Sequence, residues 1–423
     1  MNRRVVITGL GTLNPLGNDQ ETTWRMAAGG RSGVAPLTAF DASEFKSSFG
    51  GEVKEFDPVA LFGRKDARRM DRVSQLAQAA ALQALADADL QLNDADRLRT
   101  GVVLGSGMGN VASAFDGFNT FVERGPSRVS PFFVPMMLFD APAASISISH
   151  GLQGPNIAIA TACAAGTNAL GEAAKMIQRG AADVMLAGGS EAPLVPPVMA
   201  GFSSAGTLSQ RNDDPSAASR PFDNDRDGFV SSEGAAVLIL EEESRARARG
   251  AHIYGEVLGY GSSADAYHIS APAEDGSGAA RAMQAALDDA GLAPEAIDYI
   301  NAHGTSTQLN DKSETTAIKL VFGEAAYGIP ISSTKSMHGH LLGAAGALEA
   351  IICLKAMAAG FVPPTINYET ADPECDLDYV PNSGREGRLK RVLSNSFGLG
   401  GHNATIILGV YENGDADGRG FSG

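Results

Sequence analysis

Residues 163–180 read CAAGTNALGEAAKMIQRG, and residues 343–360 read GAAGALEAIICLKAMAAG. Each stretch begins with small residues, has the composition of a closely packed helix and ends in glycine after the same length. A second pair occurs in the same order, QALADADL at 83–90 and AALDDAGL at 285–292. Two matches in the same order predict a duplicated unit, with the boundary near Gly250.

Apolar runs that end in glycine lie between these helices. A strand that ends in a Gly-rich turn and feeds a helix is typical of an α/β fold. We therefore predict an N-terminal half over residues 1–250, a C-terminal half over residues 251–411 and a flexible polar tail over residues 412–423. Active sites in such pseudo-dyads tend to lie where the halves meet, so both halves should supply reactive residues.

The composition is that of a globular protein of 423 residues, 44 % hydrophobic and 19 % charged. Lys and Arg number 33 against 49 Asp and Glu, and the net charge of −16 disfavours nucleic-acid binding. The start, MNRRVVITG, is too polar for a signal peptide, and no uncharged apolar run approaches the roughly 20 residues of a membrane span. Three cysteines suit a reducing compartment, so we expect a cytoplasmic protein.

Cys163 follows the apolar run IAIATA and opens a helix. At that position backbone N–H groups and the helix dipole stabilise a thiolate, which favours a nucleophile. A buried structural cysteine is the equal alternative. Cys353, in the middle of a helical pattern, and Cys375, in a loop, fit the structural role.

Histidines come from the second half. His303 follows the strand IDYI in a Gly turn, and His340 precedes the helix that starts near residue 343. A cysteine with two imidazoles permits nucleophilic acyl transfer, with the imidazoles stabilising developing negative charge. A papain-like protease needs one histidine with an Asn or Asp, so the second histidine disfavours that class. Zinc on Cys163, His303 and His340 would lack a typical ligand spacing, so we expect no metal.

Six segments carry a resemblance to a known family. They are GPNIAIATACAAG (154–166), AASRPFDNDRDGFV (217–230), SSADAYHISAP (262–272), NAHGTSTQLND (301–311), KSMHGHLLGAAGALEA (335–350) and NSFGLGGHN (395–403). The chain resembles the β-ketoacyl-acyl-carrier-protein synthases of the thiolase superfamily, most closely the synthase II branch of bacterial fatty-acid synthesis. The likeness runs from residue 4 to residue 409. It implies a thiolase-like α/β fold with two duplicated halves in a five-layered α-β-α-β-α core.

The resemblance also implies catalytic roles. Cys163 would take an acyl chain from a carrier protein, with its own N–H and that of Leu399 forming the oxyanion hole. His303 and His340 would bind the malonyl thioester carbonyl while CO₂ departs. Lys335 and Glu349 would form a buried ionic pair that orients the histidines, where the alternative is a solvated lysine and a surface glutamate.

Substrate contacts are implied as well. Thr305 and Thr307 would hydrogen-bond the pantetheine arm, where the structural alternative is simple turn capping. Met108 and Phe202 would line the acyl pocket. The remaining predicted substrate-binding residues are Ser270, Gly398 and Gly400. No cofactor is needed, because the phosphopantetheine arrives on the acyl carrier protein.

Acyl carrier proteins of this system are acidic, and a basic patch would bind them. Lys65, Arg68, Arg69 and Arg72 fall at i, i+3, i+4 and i+7, which predicts one basic helix face. The resemblance implies that this face docks the carrier, with Arg124 and Arg128 extending it. A merely solvated charged face is the alternative. The resemblance further implies a homodimer, with the segment from Pro131 to Ile148 near the interface.

Departures from the family pattern keep an alternative open. Leu399 stands where the family usually has an aromatic gate residue. His338 adds a third imidazole, and Gly206 stands where a docking arginine is often found. The chain could instead be the active ketosynthase of a type II polyketide pathway, with a chain-length-factor subunit as its partner. An inactive scaffold is disfavoured because Cys163 and both histidines are present. A hydrolase with an acyl-cysteine intermediate would leave the two histidines without a task.

Overall fold

The computed structural model describes residues 3–412. The predicted flexible tail at 412–423 therefore lies, except for Glu412, outside the described residues. The predicted alternation of strands and helices is present. The strands are β1 (Val5–Leu13), β2 (Ala35–Pro36), β3 (Phe49–Gly50), β4 (Thr100–Gly105), β5 (Asn156–Ile159), β6 (Val184–Glu191), β7 (Gly234–Glu242), β8 (Gly255–Ala264), β9 (Tyr299–Asn301), β10 (Ile331–Ser332), β11 (Phe361–Val362), β12 (Arg385–Glu386), β13 (Arg391–Gly398) and β14 (His402–Gly409).

The helices separate these strands in the order expected for an α/β chain. They are α1 (Gln20–Ala28), α2 (Pro58–Ala67), α3 (Arg72–Asp87), α4 (Asp94–Leu98), α5 (Val111–Arg124), α6 (Phe133–Met137), α7 (Ala141–His150), α8 (Ala165–Gln178), α9 (Pro196–Ser204), α10 (Glu243–Ala248), α11 (Ser277–Ala290), α12 (Gln308–Phe322), α13 (Lys335–His338) and α14 (Ala345–Ala359).

The main sheet repeats one topology twice. Its strand order is β5-β4-β6-β7-β1 in the first half and, running outward on the other side, β8-β14-β13-β9-β10 in the second. In each half the first strand pairs antiparallel with the fifth, the fifth pairs antiparallel with the fourth, and the remaining pairings toward the edge are parallel. A short antiparallel pairing of β1 with β8 joins the halves. The predicted duplication is confirmed.

Two buried helices form the central layer between the halves. α8 packs on β4 and β6, α14 packs on β7 and β13, and the two helices contact each other. Outside, α3 and α7 cover the first half, and α11 and α12 cover the second. The order is helix, sheet, helix, sheet, helix, which confirms the predicted five-layered thiolase-like core.

The central helix α14 explains the most apolar stretch of the chain. Residues 342–359 are long and apolar enough to cross a membrane by composition, but 83 % of that window is buried inside the fold. The helix carries Glu349, which is paired with a lysine there. This pattern is typical of the core helix of a globular protein.

Candidate active site

Cys163 lies at the entrance to the central helix α8. A short 3₁₀ turn, Ala162–Ala164, connects the end of β5 to α8 and buries the thiol. Ala162 has φ of +50°, a strained value for a residue with a Cβ. The corresponding turn of the second half, Leu342–Ala344, begins in the same way with Leu342 at φ of +46°. The duplicated halves therefore share this sharp turn, and only the turn of the first half contains a cysteine.

His303 is held at the carboxyl end of β9 by a tight turn. The next residue, Gly304, has φ of +38°, and a Cβ there would lie 2.5 Å from the Cβ of Ser333. The backbone N–H groups of His303 and Gly304 donate to the two carboxylate oxygens of Glu314, at 2.8 and 2.7 Å. The backbone that carries this imidazole is thus fixed from both sides.

His340 is positioned by another glycine. Gly339 ends α13 with φ of +68°, and a Cβ there would lie 2.0 Å from Oγ of Ser232. The His340 N–H donates to the carbonyl of Val230 at 2.7 Å, and the Ser232 N–H donates to the His340 carbonyl at 3.0 Å. The backbone of this histidine is therefore clamped to the first half of the chain.

The structure brings Cys163, His303 and His340 together. One ligand atom of each residue lies within 4.8 Å of the others, and all three side chains are buried. The two imidazole rings are 5.3 Å apart, centroid to centroid, at an angle of 82°. Both ring nitrogens of His340 and Nδ1 of His303 are buried without a hydrogen-bond partner. Unpaired buried nitrogens are costly, so they indicate a site built for a polar group of a substrate.

The protonation of this trio follows from burial. Burial raises the pKa of Cys163 to about 11, opposed by the Lys335 charge and by backbone N–H groups. The thiolate that we expected from the helix N-terminus is therefore not the resting state, because desolvation outweighs the helix end. Burial, and then the Lys335 charge, lower the pKa of His303 and of His340 well below the ordinary value. Both imidazoles are neutral at pH 7.

Lys335 and Glu349 form a fully buried ion pair beside the trio, with side chains 1 % and 0 % exposed. Burial raises the pKa of Glu349 to about 7, against the Lys335 charge, which lowers it. The expected pair is thus formed, and the solvated alternative does not apply. Since Lys335 depresses the pKa of both imidazoles, its charge acts directly on the site.

The loop after β13 supplies the second backbone donor. The backbone N–H groups of Leu399 and Cys163 lie near the Cys163 sulfur and lower its pKa. Gly398 must lack a Cβ, because one would lie 3.0 Å from the Cys163 nitrogen, and Gly400 has φ of +84°. The Leu399 side chain is 47 % exposed, so it lies at the mouth of the site.

An apolar cluster surrounds the nucleophile and includes both predicted pocket residues. Met108 and Phe202 pack against buried Cys163, Leu342 and Phe229. The rings of Phe202 and Phe229 meet edge to face at 5.2 Å. The remaining members of the cluster are Leu37, Phe40, Phe45, Leu194, Met199 and Leu208. This cluster gives the Cys163 thiol an apolar environment.

The other predicted substrate-binding residues, and His338, make local hydrogen bonds. Thr305 is buried, and its hydroxyl lies 3.0 Å from that of Thr307, which occupies the N-cap position of α12 without a side-chain capping hydrogen bond. Ser270 is exposed and bonds to Nδ1 of His268. His338 does not join the trio: its Nδ1 bonds the Gly339 carbonyl at 2.7 Å and its Nε2 bonds the Thr334 hydroxyl at 3.0 Å. The third imidazole is therefore engaged in local structure.

The prediction of one basic helix face is wrong, because the segment forms parts of two helices. α2 ends at Ala67 after a kink at Gly63, and α3 begins at Arg72, so the four cations do not share one face. Arg72 is also committed to the buried carboxylate of Glu233 through two hydrogen bonds of 2.6 Å. An acidic N-cap, Asp71, starts the new helix and breaks the period. The other predicted cations, Lys65, Arg68, Arg69, Arg124 and Arg128, are exposed.

Two buried carboxylates were missed by the sequence analysis. Glu314 holds the His303 turn as described, and burial raises its pKa to about 7. Glu191, at the end of β6, accepts hydrogen bonds from the loop that carries Met108. The signal available for Glu314 was an acidic residue on a helix directly after the histidine turn. Glu191 gave no signal, because its partners are about 80 and 150 residues away in sequence.

The atoms of the trio could ligate zinc by type and proximity. The Lys335 ammonium charge, which already disfavours protonation of both imidazoles, also disfavours a dication in the same place. Its partner Glu349 offsets that charge, but it adds no ligand to the trio. The geometry therefore fits covalent acyl chemistry better than metal binding.

Comparisons with known proteins agree with this site. The family models for the beta-ketoacyl synthase N-terminal and C-terminal domains match residues 2–246 and 254–369. The 3-oxoacyl-[acyl-carrier-protein] synthase 2 of Synechocystis sp. is 52 % identical, over 97 % of this chain and 99 % of that protein. The enzyme of the same name from Staphylococcus aureus is 50 % identical over the same shares.

Solved structures give the same fold. A type II polyketide ketosynthase, in complex with its acyl-carrier protein and bound to a hexaketide, matches with a TM-score of 0.90 at 39 % identity, covering 97 % of this chain and all of that one. A beta-ketoacyl synthase from Burkholderia phymatum matches with the same TM-score and coverage at 38 % identity. The chain belongs to the beta-ketoacyl synthase family.

Proposed function

We propose that this chain extends an acyl group held on Cys163 by two carbons, through decarboxylative condensation with a malonyl group on an acyl carrier protein. The observation that carries the proposal is the meeting of Cys163 with two neutral, unpaired imidazoles in a buried apolar cluster. The product would be a β-ketoacyl-carrier protein and CO₂, as in fatty-acid elongation.

In the first half-reaction the Cys163 sulfur attacks the thioester carbonyl of the incoming acyl group. The N–H groups of Cys163 and Leu399, which lie near the sulfur and lower its pKa, would bind the oxyanion of the tetrahedral intermediate. Because the thiol is protonated at pH 7, its proton must leave during the attack and finish on the departing pantetheine thiol. A neutral imidazole beside the sulfur is suited to carry it.

In the second half-reaction the malonyl thioester carbonyl lies between His303 and His340. Each neutral imidazole donates one N–H to that oxygen, and the negative charge of the enolate develops there as CO₂ leaves. The carbanion attacks the acyl-cysteine carbonyl, and Cys163 returns as the leaving group. Losing one such donor costs roughly 3–4 kcal/mol of transition-state stabilisation. Burial, and then the Lys335 charge, keep both imidazoles neutral, so in this step each donates a hydrogen bond and does not give up its proton.

The fatty-acid assignment rests on relative identity. The relatives named 3-oxoacyl-[acyl-carrier-protein] synthase 2 are about 50 % identical over nearly their full length, whereas the type II polyketide ketosynthase of solved structure is 39 % identical. We therefore favour a fatty-acyl carrier as the substrate and phosphopantetheine as the arm that the carrier brings. Thr305 and Thr307 would contact that arm at the edge of the buried site.

The carrier would bind to the exposed cations near α2 and α5. Lys65, Arg68 and Arg124 are exposed, whereas the chain as a whole is acidic. Arg69 lies over the ring of Phe132 at 4.7 Å, which links this patch to the loop before α6. These cations would give a local positive potential that attracts an acidic carrier, although the chain as a whole carries a net charge of −16.

A homodimer would cover the exposed apolar surface beside the sheet edge. β5 is an edge strand of the main sheet, and Ile157 on it and Ile148 on α7 are 41 % and 82 % exposed. Helix α5 has no buried residue, and its Phe118 and Val122 are 57 % and 80 % exposed. These surfaces flank the predicted interface segment. We further propose a cytoplasmic enzyme whose halves divide near residue 250, in the gap between the two family models.

The test is an extension assay with the purified protein alone, an acyl carrier protein loaded with a saturated acyl group, and malonyl-carrier. We expect one two-carbon extension, with no further subunit required. Repeated extension without reduction, seen only after adding a second ketosynthase-like subunit, would transfer the protein to the polyketide class. No extension with either addition would contradict condensation altogether.

A further inference from the structure

The two halves of the sheet each end their second strand in a functional loop. β4 and β9 occupy corresponding positions, next to the edge strands of their halves. The loop after β9 carries His303, and the loop after β4 carries Met108 of the apolar cluster around Cys163. The two loops therefore lie at equivalent places in the duplicated fold.

Each loop is held by its own buried carboxylate. Glu314 accepts from the N–H groups of His303 and Gly304, as described above. Glu191 accepts from the N–H groups of Gly107 and Met108, at 2.5 and 3.1 Å. Two consecutive backbone donors on one carboxylate is the same device in each half, although Glu191 lies on a strand and Glu314 on a helix.

Glu191 also joins the two halves. Beyond Gly107 and Met108, it accepts from the Ser106 hydroxyl at 3.0 Å and from the Gly343 N–H at 2.9 Å. Gly343 belongs to the turn that starts α14, directly after Leu342, a second wall of the apolar cluster. The Glu191 side chain is fully buried. The loop after β4 and the turn before α14 meet so closely that a Cβ on Gly343 would lie 2.3 Å from the Gly107 nitrogen.

We propose that Glu191 is a positioning residue for the acyl chain, as Glu314 is for His303. Its carboxylate holds the loop of Met108 in the first half and the turn of Leu342 in the second half. The acyl chain on Cys163 would extend past these two side chains of the apolar cluster. The inference rests on the proposed function, because it concerns the acyl group on Cys163. Its consequence is separable: Glu191 governs acyl transfer and chain-length preference, whereas Glu314 governs decarboxylation.

The experiment compares Glu191→Gln with its matched control Glu314→Gln in two half-reactions. One is acylation of Cys163 by carriers bearing short, medium and long chains, followed by intact-protein mass spectrometry. The other is CO₂ release from malonyl-carrier. An amide keeps one acceptor oxygen but sets an NH₂ group against backbone donors, so each hold is weakened while the volume is kept.

We expect Glu191→Gln to lower the ratio of acylation to decarboxylation about tenfold and to flatten or shift the chain-length profile. Glu314→Gln should move the same ratio in the opposite direction with an unchanged profile. Ser106→Ala, which removes one donor to Glu191, should repeat the Glu191 effect more weakly and keeps the test open if the glutamine variant fails to fold.

The outcomes separate the two claims. Equal losses in both half-reactions for Glu191→Gln and Ser106→Ala would mean a merely structural carboxylate and would overturn the inference. An unchanged ratio and an unchanged chain-length profile would overturn it as well. Failure of the wild-type protein to form any acyl-Cys163, with Cys163→Ala as the control, would instead remove the proposed function itself.

Discussion

At the scale of single residues, desolvation dominates the chemistry of the site. The sequence placed Cys163 at a helix start and so predicted a stabilised thiolate, yet burial raises its thiol pKa to about 11. The helix start is visible in the local sequence, but the apolar side chains that bury the sulfur come from five distant segments. Local sequence thus predicted Cys163 as the nucleophile, and tertiary packing set the protonation state of its thiol.

The first prediction concerns the pH dependence of Cys163 reactivity. Because the folded thiol has a pKa of about 11, its thiolate fraction should rise about tenfold per pH unit from pH 7 to pH 9. The rate of alkylation by iodoacetamide, followed by mass spectrometry, measures this fraction. Lys335→Ala removes the charge that lowers this pKa and should slow alkylation at every pH. A rate that levels off near pH 8 would contradict the account.

The second prediction concerns the buried pair of Lys335 and Glu349. Lys335→Met should destabilise the fold by roughly 3–5 kcal/mol, because it leaves Glu349 buried without its partner. The double variant Lys335→Met/Glu349→Gln should recover much of that stability, since no lone charge remains, without recovering CO₂ release from malonyl-carrier. Thermal unfolding and the decarboxylation assay separate these effects. Recovery of both properties in the double variant would exclude a functional role for the Lys335 charge.

At the scale of elements, the strands and the two central helices could be predicted, but one helix boundary could not. The duplicated patterns at 163–180 and 343–360 became α8 and α14 with their entry turns. The basic pattern from Lys65 to Arg72 was periodic, yet it spans two helices, since Arg72 turns inward to the carboxylate of Glu233. That partner is 161 residues away, and periodicity carries no information about it.

The third prediction tests the glycine turn that holds His340. In Gly339→Ala the new Cβ would overlap Oγ of Ser232 at 2.0 Å, so the backbone of His340 must shift. Gly250→Ala is the matched control, because Gly250 has the same φ of +68° and no atom within 4 Å of its Cβ position. We expect decarboxylation to fall at least tenfold in Gly339→Ala and to stay within about twofold in Gly250→Ala.

The control also separates strain from displacement. Both substitutions place a Cβ at a positive φ, and Gly339 adds a ψ of −164° that residues other than glycine avoid, so the unfolding midpoint should fall further in Gly339→Ala. Only Gly339→Ala adds the collision. Adding Ser232→Gly to Gly339→Ala removes the overlapping hydroxyl and should restore part of the decarboxylation rate. Equal activity losses at positions 339 and 250 would show that the turn geometry does not set the histidine.

At the scale of the whole molecule, the duplication sets the active site between the halves. The first half provides Cys163, the second provides His303 and His340, and the clamp of His340 on Val230 ties them together. The sequence predicted this division because each motif is contiguous. It could not predict Glu191, whose donors come from both halves and meet only after folding.

The fourth prediction concerns the carrier-docking patch. Arg68→Glu should raise the KM for malonyl-carrier several-fold with little change in kcat, because it weakens encounter with an acidic partner and leaves the buried trio intact. Arg388→Glu is the matched control, an exposed arginine of the second half. The difference between the variants should shrink as salt is raised. Equal effects of both substitutions would argue for net charge alone.

The fifth prediction concerns the sheet edge. Ile157→Glu places a charge on the exposed edge strand β5 and should reduce the mass found by light scattering from two chains to one. Leu320→Glu, at a residue 61 % exposed on α12, is the matched control and should leave the dimer intact. A wild-type protein that is already monomeric at micromolar concentration, or a dimer that survives Ile157→Glu, would contradict the proposed interface.

The central claim is a division of labour, in which Cys163 carries the acyl chain and two neutral histidines drive decarboxylation. The most direct measurement follows wild type, Cys163→Ala and His303→Ala by intact-protein mass spectrometry with acyl-carrier, and then by CO₂ release with malonyl-carrier. We predict acylation of wild type and His303→Ala but not of Cys163→Ala, and CO₂ release that is strongly reduced only in His303→Ala. Acylation of Cys163→Ala, or undiminished CO₂ release by His303→Ala, would contradict the account.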